Sequence, residues 1–236
     1  IILFAGPHFS TTDFMHVLSI HFSAILSAKW SWIAPPTIKK YFQLEGPSCF
    51  AALMFALSDQ TNHPLFTQHV TTDLIYGIFQ QEINAQLATD KNILLGSEEV
   101  DRISADYFNG EEMIDKLLPL LSGSTPGPAE TSNGDDGEKI NEVSVVIGYI
   151  SPRINHLLSL WKEVGKPQNL SFYQFTLDPN SVMHLYAIDS LRLADTFLKR
   201  GIKVDLVDDA GYQAAGVKPY QLLACDIMKE TCDDNH

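Results

Sequence analysis

What the chain lacks narrows its class first. It has three cysteines in 236 residues, too few for a disulfide framework. Cys225 and Cys232 lie close together near the C-terminus, where a short bridge and two buried thiols are equally good readings. Cys49, inside Pro47-Ser48-Cys49-Phe50, reads as a packed core thiol. No Cys/His set has zinc spacing, so no metal is expected. Basic residues are scarce: Lys and Arg total 16 against 29 Asp and Glu, a net charge of −13. A nucleic-acid partner is therefore not expected, because counterion release needs a basic face. No run of 18 or more apolar residues occurs, so no transmembrane segment is expected. The Walker A pattern Gly-x-x-x-x-Gly-Lys-[Ser/Thr] is missing too, which argues against an ordinary kinase or ATPase. An initiator Met is also lacking, and the expectation is a trimmed piece of a longer precursor.

What is present suits one globular domain. Apolar residues make up 45% of the chain and Phe alone numbers 13, enough for a substantial core. Ile1–Ala5 is a short apolar run ending at Gly6-Pro7, as a central strand would be. Ser10 to Asp13 are helix-start residues, and Phe14, Leu18, His21 and Ile25 follow on one helical row. Residues 29–64 are aromatic and proline-broken, with a helix expected around Cys49–Leu57. Helical spacing returns at Leu74, Ile75, Ile78, Phe79 and Ile83, with Thr72 or Asp73 as the predicted cap. Further strands are predicted at Ile93–Gly96, Val143–Tyr149 and Ile202–Val207. Helices are predicted at about Glu111–Leu121, Arg153–Val164, Ser181–Lys199 and Tyr220–Lys229. Ser122–Glu142 is rich in Gly, Pro, Ser, Thr and acids and reads as a flexible surface loop inside a single domain, residues 1–236. Strands alternating with helices predict an α/β fold with a mainly parallel central sheet and helices on both faces.

Ligands of parallel α/β sheets bind at the carboxyl ends of the strands. Three such ends carry polar, loop-like sequence: Gly6–Thr12, Ser97–Asp101 and Tyr149–Ser159. Backbone N–H groups at the first would favour a phosphate or sulfate, with Thr11 and Thr12 hydroxyls adding donors. The plain alternative is a capped βα turn. At the second, Glu98 and Glu99 are paired acids, which suits a general base and equally suits the first turn of a helix. At the third, Arg153 and Ser159 are either phosphate ligands or ordinary helix residues.

Gly6-Pro7-His8-Phe9-Ser10-Thr11-Thr12 resembles the loop of sulfotransferases that wraps the 5′-phosphosulfate of 3′-phosphoadenosine 5′-phosphosulfate. The shared positions are Pro7, Thr11 and Thr12. His8 stands where Pro-Lys-Ser-Gly-Thr-Thr has lysine, and Ser10 where it has glycine. Against the branch reading Gly-Pro-His-Lys-Thr-Gly-Thr-Thr, the match is Gly6-Pro7-His8, with the lysine lost in a one-residue deletion. Tyr149-Ile150-Ser151-Pro152-Arg153 followed by Ser159 resembles the family's 3′-phosphate element, with Ile150 in place of its first arginine. Phe197–Val204 and Pro219–Cys225 resemble the C-terminal strand and helix of sulfotransferase-like proteins of algae.

The resemblance implies a P-loop-like fold and transfer of a sulfuryl group to a hydroxyl or amine acceptor. It implies catalytic roles for Glu98, Glu99 and His8. Nucleotide binding falls to Gly6, Pro7, Ser10, Thr11, Thr12, Arg153 and Ser159. The implied donor is 3′-phosphoadenosine 5′-phosphosulfate, with no metal, and the implied compartment is the Golgi lumen or secretory pathway. A chain that kept this fold and lost the activity, acting as a binding partner, is the competing expectation. The loop without lysine favours it.

Overall fold

The computed structural model describes residues 1–5, 29–44, 46–89, 91–104, 110–123, 142–149, 154, 157–158, 161–177, 190–208, 211, 214–216, 225 and 228. The predicted helix after the first strand, residues 124–141 of the predicted surface loop, five residues of the helix predicted at 153–164, the first nine of that at 181–199 and most of that at 220–229 lie outside these residues. The described strands are β1 (Ile2–Ala5), β2 (Trp30–Trp32), β3 (Asn92–Gly96), β4 (Ser144–Tyr149) and β5 (Lys203–Asp208). The described α-helices are α1 (Phe50–Leu57), α2 (Thr72–Leu87), α3 (Gly110–Ser122), α4 (Phe172–Leu177) and α5 (Ser190–Leu198).

The strands form one sheet in the order β2-β3-β1-β4-β5, and every neighbouring pair is parallel. The expected α/β architecture is therefore present. Apolar runs make the central strands because a parallel sheet buries both faces, so alternation with polar residues disappears. Pairing sets Leu3 against Leu95 and Val145, and Ala5 against Ile147. Those residues join α1, α2, α3 and α5 in one hydrophobic cluster on one side of the sheet. Ile2, Phe4, Leu94 and Val146, on the opposite side, are buried as well. β5 is more exposed and carries Lys203 and Asp205, charges that suit a strand at a sheet's edge.

All eight residues of α1 are buried, as expected of a helix apolar all round and enclosed by its neighbours. α2 follows the predicted period, burying Ile75, Phe79 and Ile83. Its cap is Thr71 rather than Thr72 or Asp73. Thr71 is extended (φ −111°, ψ 156°), and its hydroxyl accepts the N–H of Leu74 at 3.2 Å. Thr72 already lies inside the helix, and its hydroxyl donates to the Ala56 carbonyl at 3.0 Å, tying α2 to the end of α1. β2 was not expected. Three residues, Trp-Ser-Trp, are too few to show a period among neighbouring aromatics and prolines. Ser31 anchors the strand to α2 by donating to Gln86 at 2.8 Å.

α5 ends at Leu198, one residue short of the predicted Lys199. Gly201 takes φ 72°, its N–H reaches the Leu198 carbonyl, and Ile202 N–H reaches Phe197. Arg200 then clamps this end to α3. Its Nε and Nη2 donate to Asp115 Oδ1 at 3.1 and 2.9 Å, Nη2 also bonds Glu111, and Nη1 donates to the Thr196 carbonyl at 3.1 Å. Burial opposes the guanidinium charge, yet its hydrogen bonds to the Glu111 and Asp115 carboxylates leave its pKa raised. Arg200 is 19% exposed while its partners are 70% and 66% exposed, so solvent screens the cluster. Arg200→Ala should therefore cost about 1 kcal/mol, at the upper end for exposed pairs. Urea unfolding at low and high salt checks this, and a loss that grows with salt would contradict the electrostatic assignment.

Cys225 is disulfide-bonded, whereas Cys49 is a free buried thiol. The bridged reading of Cys225 is thus the one the fold adopts, and Cys49 packs in the core as expected.

Candidate functional site

All five strands run the same way, so their carboxyl ends share one edge of the sheet. β1 sits at the centre, between β3 and β4. The three polar strand ends singled out in the sequence follow β1, β3 and β4, which are three adjacent strands. Neighbouring strands lie about 4.8 Å apart, so Ala5, Gly96 and Tyr149 deliver the chain to one short stretch of edge. Register confirms the level: Phe4 pairs with Gly96, and Ala5 pairs with Ile147.

The strand order also reverses here. From β1 the chain passes over the place of β3 to reach β2. Every later step, from β2 to β3, β4 and β5, runs the opposite way. Open parallel sheets bind ligands at the carboxyl edge where the direction of growth reverses. Topology thus directs attention to the end of β1.

The Ser97 N–H donates to the Phe4 carbonyl at 3.4 Å, holding the chain beside β1 one residue past the strand. A 3-10 helix, Glu98–Ser104, starts at once. The Ser97 hydroxyl accepts the Glu99 N–H at 3.1 Å, and the Ser97 carbonyl accepts that of Val100. Ser97 is therefore a cap, buried to 6% exposure, and it fixes where the two glutamates begin. Val100 and Ile103, three residues apart, share the inward face of this tight helix. Glu99 remains half-buried, with part of its surface in solvent. The sequence reading stressed Glu98 and Glu99, yet Asp101 is the buried acid here, at 5% exposure, and it is held by interactions within the fold. No sequence signal singled it out, because the three-residue period of a 3-10 helix puts Val100 and Ile103 on one inward row and leaves Asp101 on another.

Gly110, the first residue of α3, brings that helix onto the same segment. A Cβ on Gly110 would stand 1.7 Å from the Ile103 carbonyl oxygen. Only glycine permits this approach, and it pins the far end of the 3-10 helix.

Gly6, Pro7, His8, Ser10, Thr11 and Thr12, after β1, and Arg153 and Ser159, after β4, lie outside the described residues. For Glu98 the structure describes the backbone only. Among the described residues no group of three His, Cys, Asp or Glu is placed to hold a metal ion, and no helix is long and apolar enough to cross a membrane. No family model, no curated protein and no solved structure matches this chain.

Proposed function

We propose that the chain is a sulfotransferase of the P-loop-like type, moving a sulfuryl group from 3′-phosphoadenosine 5′-phosphosulfate to a hydroxyl or amine acceptor. One observation carries the reading. The elements that resemble the phosphosulfate loop, the catalytic-base segment and the 3′-phosphate element follow β1, β3 and β4, which are side by side at the reversal point of a parallel sheet.

In this reading the turn Gly6-Pro7-His8 and the backbone N–H groups through Thr12 receive the 5′-phosphosulfate. Ser10, Thr11 and Thr12 add hydroxyl donors. Arg153 and Ser159, from the neighbouring strand end, grip the 3′-phosphate. The donor supplies an activated S–O bond, and the chain's residues direct what happens around it. Glu98 or Glu99 takes the proton from the acceptor as its oxygen or nitrogen bonds to sulfur. His8, as imidazolium, stabilises the charge gained by the departing phosphate oxygen, a task lysine performs in the family. Ser97 fixes the start of the glutamate segment, and Gly110 with Ile103 fixes its end.

The competing reading is a sulfotransferase-like binder without activity. His8 in the place of lysine, and Ile150 in the place of arginine, favour it. Sulfuryl transfer requires nucleotide affinity, so calorimetry with 3′-phosphoadenosine 5′-phosphate tests the transferase reading. Arg153→Ala should weaken this binding by about 1.5–3 kcal/mol, the range for a charged hydrogen bond. Adenosine 5′-phosphate, which lacks the 3′-phosphate, should lose little. Equal losses for both nucleotides would remove Arg153 from the 3′-phosphate site, and an absence of heat with wild type would remove the function. Transfer of labelled sulfate to a panel of hydroxyl and amine acceptors then separates enzyme from binder.

A further inference from the structure

β5 is the outermost described strand on one side of the sheet, paired with β4 along its length and with no other described strand. It is accessible as well as outermost: Lys203 and Leu206 are exposed, and only Val207 of its residues is buried. Apolar surface is open beside it. Leu206 is 44% exposed, and Leu191 and Leu198 on α5 are 71% and 56% exposed.

α5 packs over both β4 and β5. At about 100° per residue, Leu191 and Leu198 share one flank of α5, about 150° round from the buried Thr196. Arg200 fastens the Thr196 side to α3 through the Thr196 carbonyl and Asp115. The leucine flank is therefore turned the other way, towards the open edge. Val204 and Leu206 pair with Val145 and Ile147 and lie on the α5 side of the sheet. Lys203 and Asp205 lie on the other side, within 3.4 Å of each other.

Edge strands commonly carry charge that discourages pairing with another chain, and charge of one sign does so in every register. β5 carries two charges of opposite sign, two residues apart. When two copies of β5 run antiparallel about a two-fold axis at Val204, directly opposite residues share a face. Lys203 of each copy then meets Asp205 of the other. On the α5 side, Leu206 of each meets Ile202 of the other, with the two Val204 side chains between them. Moving the axis by one residue sets Lys203 against Lys203, or Asp205 against Asp205, so charge favours the Val204 register over both neighbours. The two copies of α5 then lie on the same face, about 10 Å apart (two strand intervals of about 4.8 Å), which is a helix-packing distance. Their leucine flanks face each other across the seam.

We infer that β5 pairs with β5 of a second copy of this chain, joining two parallel sheets through an isologous antiparallel seam centred on Val204. The net charge of −13 on each copy opposes association at long range. At about 0.15 M salt the screening length is about 8 Å, which weakens that repulsion more than it weakens charges in contact. The inference is independent of the nucleotide reading.

Sedimentation of the whole chain at about 0.15 M salt is the test. Wild type should show a species of twice the 26.3 kDa chain mass. It should dominate above about 10 μM protein, the weak end for a specific interface. Lys203→Glu leaves two acids on the edge and Asp205→Lys leaves two bases, so each variant alone should dimerise at least about tenfold more weakly. Mixed in equal amounts, the two variants should associate about as tightly as wild type, because every base then meets an acid. Ion pairing within one chain cannot produce that rescue. Leu198→Gln, which suits an exposed helix position, should weaken the dimer too. All three should unfold close to wild type, since the substituted side chains are exposed. A wild-type chain that stays monomeric throughout overturns the inference and leaves Lys203 and Asp205 as guards of the edge. A dimer indifferent to these substitutions overturns it as well, and so does failure of the two charge variants to associate when mixed. If a charge variant does not fold, the wild-type concentration series and Leu198→Gln decide.

Discussion

In the native protein Cys49 should react with a thiol reagent about 1,000-fold more slowly than an exposed cysteine at about pH 8. The thiol is fully buried on the inner face, where its Sγ lies 4.0 Å from the Ile33 carbonyl. Burial, aided by the negative charge of Glu82, pushes its pKa from 9.0 up to about 12. Each pKa unit removes a factor of ten from the thiolate fraction, and the thiolate is the attacking species. A folded pKa above the unfolded one favours the protonated, folded state. The associated stability is complete below about pH 9 and drains away as the pH rises towards 12. Two measurements follow. Labelling kinetics of the native, non-reduced protein should be slow, and unfolding in guanidinium should release one reactive thiol, because Cys225 is bonded. Rapid native labelling would show that α1 does not seal this position.

Gly110→Ala should destabilise the fold by about 3 kcal/mol, the upper part of the range for overpacking. The reason is the 1.7 Å approach of a new Cβ to the Ile103 carbonyl oxygen, with the Ile103 carbonyl carbon only 2.6 Å away. Backbone atoms cannot rotate aside as the end of a side chain can. Either α3 retreats, opening the cluster that holds Met113, Ile114 and Leu117, or the segment Glu98–Ser104 shifts. The denaturation midpoint should fall with an unchanged slope, as for a pure loss of stability. Ile103→Ala in the same chain should not restore it, because the obstacle is main chain. Wild-type stability in Gly110→Ala would mean that the two elements stand further apart. If the glutamates act as base, the variant should also lose sulfuryl transfer more than nucleotide affinity.

Much of the local structure was legible because local physics creates it. Ile2–Ala5, Ile93–Gly96 and Val145–Ile147 are apolar runs too short for helices, and each forms a strand of the parallel sheet. Ile75, Phe79 and Ile83 recur at helical spacing and are the residues α2 buries. Errors fell where a single residue or a very short run decides. Thr71, Thr72 and Asp73 are all good caps, and the extended backbone at Thr71 together with the Ala56 carbonyl waiting for Thr72 chose between them. Trp30–Trp32 has no period to read, and becomes a strand because Asn92, Ile93 and Leu94 offer it a ladder.

The site divides in the same way. Ser97, Glu98, Glu99, Tyr149 and the loop after Ala5 could be named from composition and order alone, since polar residues after apolar runs mark strand ends. Their gathering could not be read. Strand order depends on pairing between residues some 60 to 140 positions apart, such as Leu3 with Leu95 and Val145, and many orders would bury the same apolar runs equally well. Burial of Asp101 beside the more open Glu99 depends on a 3-10 turn and on the closeness of Gly110 to Ile103. The place of Asp208 at this edge depends on its register with Tyr149, and its close fit beside Gly211 on the missing Cβ there. The sequence by itself determined which segments become strands and helices, through side-chain hydrophobicity and spacing. Tertiary structure alone decided which strand ends are neighbours and which of the described acids there are buried, because both follow from packing among segments far apart in the chain.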